Sequence, residues 1–260
     1  MATGTKAVTL TREGAMGVVR LERAHGNAID DSLVEGLVAA LAEAEADPEV
    51  GGVLLSAAGK LFSPGLDLQE LVALDREGME RFMRHFSAAI LNLYTFPKPV
   101  VAAVQGPALA GGCVIALCAD WRVLRRGAVI GLNEVKVGVP LPFGVALIVR
   151  DAVPKNKLTG VVLLGRNYAD GDALNAGLAD ELADPTDVES RARERLEEFL
   201  SKDAFAFAVT KRYLRSPVVE RIRANNRLLL PEWLDGWFSK GTRARIEEIV
   251  AGLQGKGKAT

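Results

Sequence analysis

Glu134 and the glycine pair Gly111-Gly112 have the residue types and spacing for proton chemistry beside a carbonyl. The pair runs at once into the apolar segment CVIALCA, a pattern for a tight turn that delivers the chain into the first turn of a buried helix. The first N–H groups of a helix have no intrahelical partner and sit at the positive end of its dipole. An oxygen gaining negative charge is therefore stabilised there. Further on, Glu134 stands almost alone in the run AVIGLNEVKVGVPLPFGVALIV. A carboxylate in such company is desolvated, and its pKa rises toward the range useful for proton transfer. Together these features suit removal of a proton next to a carbonyl and stabilisation of the resulting enolate. Each also has a plain structural reading: the glycines as close packing, and Glu134 as a half-exposed acid paired with Lys136 on one face of an extended segment.

A second informative stretch lies upstream, AGKLFSPGLDLQEL. A strand ends at Ser56, a Gly- and Pro-containing loop turns the chain, and Gly65 lets the backbone approach a neighbour before a helical turn over 66–71. Asp67 fits equally well as an acid in the first turn of a helix.

Regular elements must hold these two loops. Residues 8–10 and 16–21 read as a hairpin. Ser32 to Glu35 matches a capping box for a helix whose apolar residues recur at three and four, and Asp47-Pro48 ends it. GGVLLSA then reads as a buried strand, residues 76–94 as an amphipathic helix stopped by Pro97 and Pro99, and VVAAV as a second buried strand. Short strands over 121–124 and 128–130 precede Glu134. Helices over 143–151, 155–164 and 170–176 and a strand in GLADEL follow it. Beyond Pro185 every segment reads helical: one to Leu200, one over 204–214, one over 218–237, and RARIEEIVAGL. The chain thus divides into a core over 1–186 and a C-terminal helical module over 187–260, with GKGKAT expected to fray.

Composition excludes several classes. A chain of 260 residues with 49% hydrophobic and 25% charged content can bury a sizeable core as an ordinary globular protein. Its net charge of -1 and 6% aromatics supply neither the field nor the stacking surface for nucleic acid, so no nucleic-acid partner is expected. Basic clusters such as Arg125-Arg126 and Lys211-Arg212 are short and fit solvated helix faces. The N-terminal MATGTKAVTLTREG lacks a signal-peptide pattern and no apolar run is long enough to span a bilayer, which points to a cytoplasmic protein without a membrane partner. Cys113 and Cys118 fit buried thiols, and with only His25 and His85 neither a metal cage nor a Ser-His-Asp triad is suggested.

Four stretches in this order, AHGNAIDDSLVEGL, DPEVGGVLLSAAGKLFSPGLDL, PKPVVAAVQGPALAGGCVIALCAD and GLNEVKVGVP, resemble the crotonase superfamily of acyl-CoA enzymes. The resemblance runs from about Val8 to Leu253. It implies an α/β fold, a spiral of ββα turns with a C-terminal helical region used in trimerisation, and a homotrimer or hexamer. It also implies an oxyanion hole from the backbone N–H groups of Leu66 and Gly111. No metal or separate cofactor is implied; an acyl-CoA thioester is the substrate. Bent CoA implies His25, Ala28, Ser63 and Asp67 as candidates near its adenine and pantetheine, and Lys240 near a phosphate. Asp120 is expected to act in structural hydrogen bonding.

The departure from the family pattern is informative. Hydratases of this family carry two glutamates, and the first of those positions is Val114 here; only Glu134 survives. The single glutamate, GLNE, Pro142-Phe143 and the FSK at 238–240 resemble the mitochondrial-type 3,2-trans-enoyl-CoA isomerase branch, which serves fatty-acid oxidation. An enoyl-CoA hydratase, or another acyl-CoA reaction of the family, is the alternative, and a non-catalytic acyl-CoA-binding subunit is a third.

Overall fold

The computed structural model describes residues 6–257. β1 (Val8–Glu13) and β2 (Met16–Leu21) form an antiparallel hairpin with Val8 opposite Leu21. The chain then repeats one movement. From β2 it passes through the kinked turn α1 (Ala24–Asn27) and α2 (Asp31–Ala46) to β3 (Gly52–Ala57), parallel to β2. From β3 it passes through α3 (Leu68–Leu71) and α4 (Arg76–Tyr94) to β4 (Val100–Val104). β5 (Ala108–Leu109) and α5 (Gly111–Leu117) lead to β6 (Trp121–Arg125), parallel to β4. β7 (Val129–Gly131), α6 (Glu134–Val137), α7 (Phe143–Ala152), a π-helical turn over Thr159–Leu163, β8 (Asn167–Ala169) and α8 (Asp170–Asn175) lead to β9 (Glu181–Ala183). Helical crossovers are what parallel neighbours require.

The long strands form one six-stranded sheet in the order β1-β2-β3-β4-β6-β9. The short ones form a second sheet, β5-β7-β8, continued by single bridges between Ile29 and Leu66 and between Ser63 and Ala108. Each passage thus gives a long strand to one sheet, a short extended segment to the other, and a helix, which is the spiral of the crotonase fold. All residues of β3 and β4 are buried, as expected for parallel strands covered on both faces. On one face Val53, Leu55, Ala102 and Val104 join the main core with α2, α4 and α5. On the other, Leu54, Val101, Ala103 and Val123 pack on Val188, Ala192 and Leu196 of α9 (Val188–Leu200).

Several local expectations are corrected. The cap of α2 is Asp30, not Ser32: the Asp30 carboxylate accepts from Leu33 N–H at 2.9 Å and from Ser32 Oγ at 2.8 Å. The helix expected over 155–164 is a turn followed by the π-helical turn, and β8 is an additional strand. The two helices expected over 204–214 and 218–237 are one, α10 (Ala204–Trp237). Pro217 cannot donate to Tyr213 C=O, but Ser216 Oγ does so at 3.3 Å, so the proline is accommodated without ending the helix. α10 is fastened to the core by Asp120, which accepts from Lys211 at 2.6 Å, Arg215 at 2.8 Å and Val100 N–H at 2.8 Å. α11 (Lys240–Gly257) ends the described chain; it takes in the first residues of GKGKAT, whose last three lie outside the described residues. Cys113 and Cys118 are buried free thiols, and burial pushes Cys118 up to about 12 and Cys113 higher still. Among the described residues no helix is long and apolar enough to cross a membrane.

Candidate active site

The two informative loops meet. Gly65 has φ +96°, and a Cβ there would lie 2.9 Å from Ala110 Cβ and 3.1 Å from the nitrogen of Gly111. A Cβ on Gly112 would lie 2.3 Å from the carbonyl oxygen of Ser63. Glycine at both positions is therefore a steric requirement of two backbones in contact. Further hydrogen bonds lock the pair: Leu109 N–H donates to Ser63 O at 2.9 Å, and Ser63 Oγ donates to Asn27 O at 2.8 Å. Ile29 N–H donates to Gly65 O and Asp67 N–H donates to Ile29 O, which fixes the plane of the intervening Leu66. Among the described residues the N–H groups of Leu66 and Gly111 find no hydrogen-bond acceptor. Ala110, immediately before Gly111, holds φ +47°, a conformation costly for a residue with a Cβ and maintained by its surroundings.

Leu66, Gly111 and Glu134 all line one cavity of about 420 Å³. Glu134 opens the single turn α6 behind the β7 strand that pairs with β5, so the same small sheet places the donor turn and the acid. The Glu134 side chain is pushed up to about 7 by loss of solvation, an effect its own backbone N–H partly opposes. Its Oε2 is buried and, among the described residues, without a hydrogen-bond partner. No ion pair joins Glu134 to Lys136 among those residues, which sets aside the surface-pair reading. Val114, 1% exposed, stands on the wall of the same cavity, and Met83, Phe86, Val139 and Val145 make much of the remaining surface apolar. Here a carboxyl pushed up to about 7 shares a largely apolar cavity with a pair of free backbone donors, a combination suited to moving a proton while negative charge rests on an oxygen.

Of the other candidates, His25, Ala28 and Asp67 line the cavity. His25 is mostly exposed in a left-handed backbone conformation, whereas Asp67 is 5% exposed. The Asp67 carboxylate caps α3, accepting from Gln69 and Glu70 N–H, and receives Arg23 Nη1 at 2.8 Å. The structure does not bring Ser63 or Lys240 to the cavity. Ser63 is fully buried and its hydroxyl is spent on the loop contacts, and Lys240 is exposed at the start of α11.

Residues outside the sequence candidates complete the site. Arg23, with a side chain 9% exposed, spans Asp30 at 2.8 Å, Asp67 at 2.8 Å and Glu70 at 2.6 Å. Burial lowers its pKa, but the neighbouring Asp30 and Asp67 more than offset this and raise it overall. His25, Asp67 and Glu70 could share a cation on distance alone, but Arg23 already neutralises both acids. The cavity is also lined by Trp233 and Trp237, stacked at 5.5 Å one helical turn apart on α10, and by Ile249 and Leu253 of α11. Their apolar spacing was visible in the sequence, but which cavity they would face was not.

Residues 11–229 match the enoyl-CoA hydratase/isomerase family. The chain is 35% identical over 192 residues to a putative enoyl-CoA hydratase of Thermus thermophilus, covering 72% of this chain and 75% of that one. It is 28% identical over 222 residues to the mitochondrial enoyl-CoA delta isomerase 1 of Mus musculus, covering 84% and 77%. The crystal structure of human mitochondrial delta3-delta2-enoyl-CoA isomerase superposes with a TM-score of 0.92 at 22% identity, covering 96% of this chain and 99% of that one, a likeness of fold. With its spiral core, its paired glycine-bearing loops and this match over most of its length, the chain belongs to the enoyl-CoA hydratase/isomerase, or crotonase, family.

Proposed function

We propose that the protein is an enoyl-CoA isomerase, moving the double bond of a 3-enoyl-CoA to the trans-2 position in fatty-acid oxidation. The observation that carries this reading is the carboxyl of Glu134, unpaired among the described residues, in a cavity where Val114 occupies the place of a second glutamate and the other lining acid, Asp67, is held by Arg23. Glu134 takes a proton from C2, the thioester oxygen becomes the oxygen of a dienolate held by the N–H groups of Leu66 and Gly111, and the same carboxyl returns the proton at C4. A single group serves both transfers, and an apolar Val114 wall disfavours a bound water that would add across the double bond.

The acyl-CoA thioester is the substrate, no further cofactor takes part, and His25, Ala28 and Asp67 are the nearest candidates for contact with its CoA portion. A cytoplasmic homotrimer or hexamer accompanies this reading as a family expectation.

The test is to incubate the protein with a 3-enoyl-CoA and follow the rise in absorbance of the conjugated thioester. Glu134→Gln should abolish that rise; equal rates for the two proteins refute the proposal. The hydratase-named relative supports the second reading, hydration of a 2-enoyl-CoA. Formation of 3-hydroxyacyl-CoA at a rate rivalling isomerisation favours it. Tight acyl-CoA binding without turnover across a panel of thioesters favours a non-catalytic binding subunit.

A further inference from the structure

α6 is an unusual place for a proton carrier. All four of its residues, Glu134 among them, retain some exposure, so core packing alone does not fix the angle at which the acid is presented. Its N-terminal side is secured by the β7 strand, where Gly131 O accepts from Ala110 N–H at 2.9 Å. Its C-terminal side ends at Gly138, which has φ +85°. There α11 supplies the restraint. Thr242, 4% exposed, donates its hydroxyl to Gly138 O at 2.8 Å and accepts from Ser239 Oγ at 3.0 Å. Ser239 in turn accepts from Thr242 N–H at 3.3 Å, so the threonine hydroxyl is held in one orientation. The fit is tight, since a Cβ on Gly138 would lie 3.1 Å from Thr242 Oγ1 and 2.6 Å from Arg245 Nη1. Val139 N–H donates to Glu134 O at 3.1 Å, so displacement at Gly138 is transmitted across one helical turn to the acid.

We propose that Thr242 is a positioning residue for Glu134, its hydroxyl gripping the end of α6 so that the carboxyl meets the substrate carbons at a fixed distance. This rests on the isomerase reading for its kinetic consequence but not for its geometric one. Misplacement of a reacting group by about 1 Å lowers rates by up to about a hundredfold. Thr242→Val keeps the shape and removes the hydroxyl; Thr242→Ser keeps the hydroxyl and removes a methyl.

The experiment measures kcat and KM for a 3-enoyl-CoA together with an infrared titration of the Glu134 carboxyl, its band identified by its loss in Glu134→Gln. For Thr242→Val the expected result is a kcat reduced on the order of tenfold with KM nearly unchanged. The carboxyl midpoint should also move down toward the ordinary carboxylate value as α6 loosens and admits solvent. Thr242→Ser should restore both. A Thr242→Val protein matching the wild type in both readouts overturns the proposal, as does a Thr242→Ser protein impaired equally with Thr242→Val. If the wild type turns over no 3-enoyl-CoA, the isomerase reading falls, and the carboxyl titration alone decides the positioning role.

Discussion

Replacing Glu134 by glutamine should stabilise the protein while removing its chemistry, and the gain should depend on pH in a defined direction. The carboxyl rises from an ordinary 4.5 to about 7 in the folded chain because burial strips its solvation. A folded-state pKa above the unfolded value means the native chain holds a proton that the unfolded chain has released. The associated stability is therefore complete below pH 4.5 and is lost as the pH climbs through 7. At about 1.36 kcal/mol per unit, the full gap corresponds to about 3 kcal/mol. Glutamine is a neutral analogue of similar shape that also meets an unpartnered site, so that cost roughly cancels against the protonated acid. The Glu134→Gln protein should then exceed the wild type by about 3 kcal/mol at pH 8 and by under about 1 kcal/mol at pH 5. At about 2–4 °C per kcal/mol for a chain of this size, the pH 8 difference is a Tm rise of roughly 6–12 °C. Urea unfolding of both proteins across pH 5 to 8 reads it directly. A difference that does not change with pH, or a mutant less stable at pH 8, would show that Glu134 is solvated in the native state and refute the basis of its proposed role as a proton carrier.

Gly65→Ala meets Ala110 Cβ at 2.9 Å from a backbone at φ +96°, so it should separate the two donor loops and lower turnover on the order of a hundredfold, measured as kcat; a wild-type rate would place the oxyanion elsewhere. Arg23→Met leaves the side chains of Asp30 and Asp67, 12% and 6% exposed, without their cation, and should cost about 3–5 kcal/mol in urea unfolding at pH 7; a loss below about 1 kcal/mol would mean that the loops are held without it. Val114→Glu puts a further acid on the apolar wall beside Glu134 and should lose at least about 2 kcal/mol at pH 8, while raising hydration of a 2-enoyl-CoA relative to isomerisation; an unchanged product ratio would separate the Val114 position from the choice of reaction.

Much of this site was legible in the sequence because it depends on backbone rather than on side-chain partners. Gly65 and the Gly111-Gly112 pair announce close approach wherever they sit, and an acid isolated in an apolar run announces desolvation. Asp120 likewise sits in an apolar run that favours hydrogen-bond pairing, and it is found with three donors. The spiral was not legible from the residues themselves, since its second sheet is stitched by pairings of one to three residues, too short to leave an alternation of side chains. Arg23 escaped notice for a related reason: its three carboxylate partners become neighbours only once β2, α2 and α3 are brought together. Ser63 fits equally well as a ligand contact or as the bolt between two loops, and sequence does not say which way a hydroxyl turns; here it donates to Asn27 O and accepts from Gly65 N–H. The break expected between residues 214 and 218 is absent because Ser216 Oγ donates to Tyr213 O, the carbonyl Pro217 cannot reach.

The tail of the polypeptide walls part of the cavity: Trp233, Trp237, Ile249 and Leu253 come from the last two helices, while Glu134, Leu66 and Gly111 belong to the spiral. Under the proposed function, tolerance for longer, shorter or branched acyl groups would change through substitutions in a segment that bears none of the groups assigned to the reaction. Such a partition would let appetite for substrate drift while the proposed chemistry beneath it stays intact.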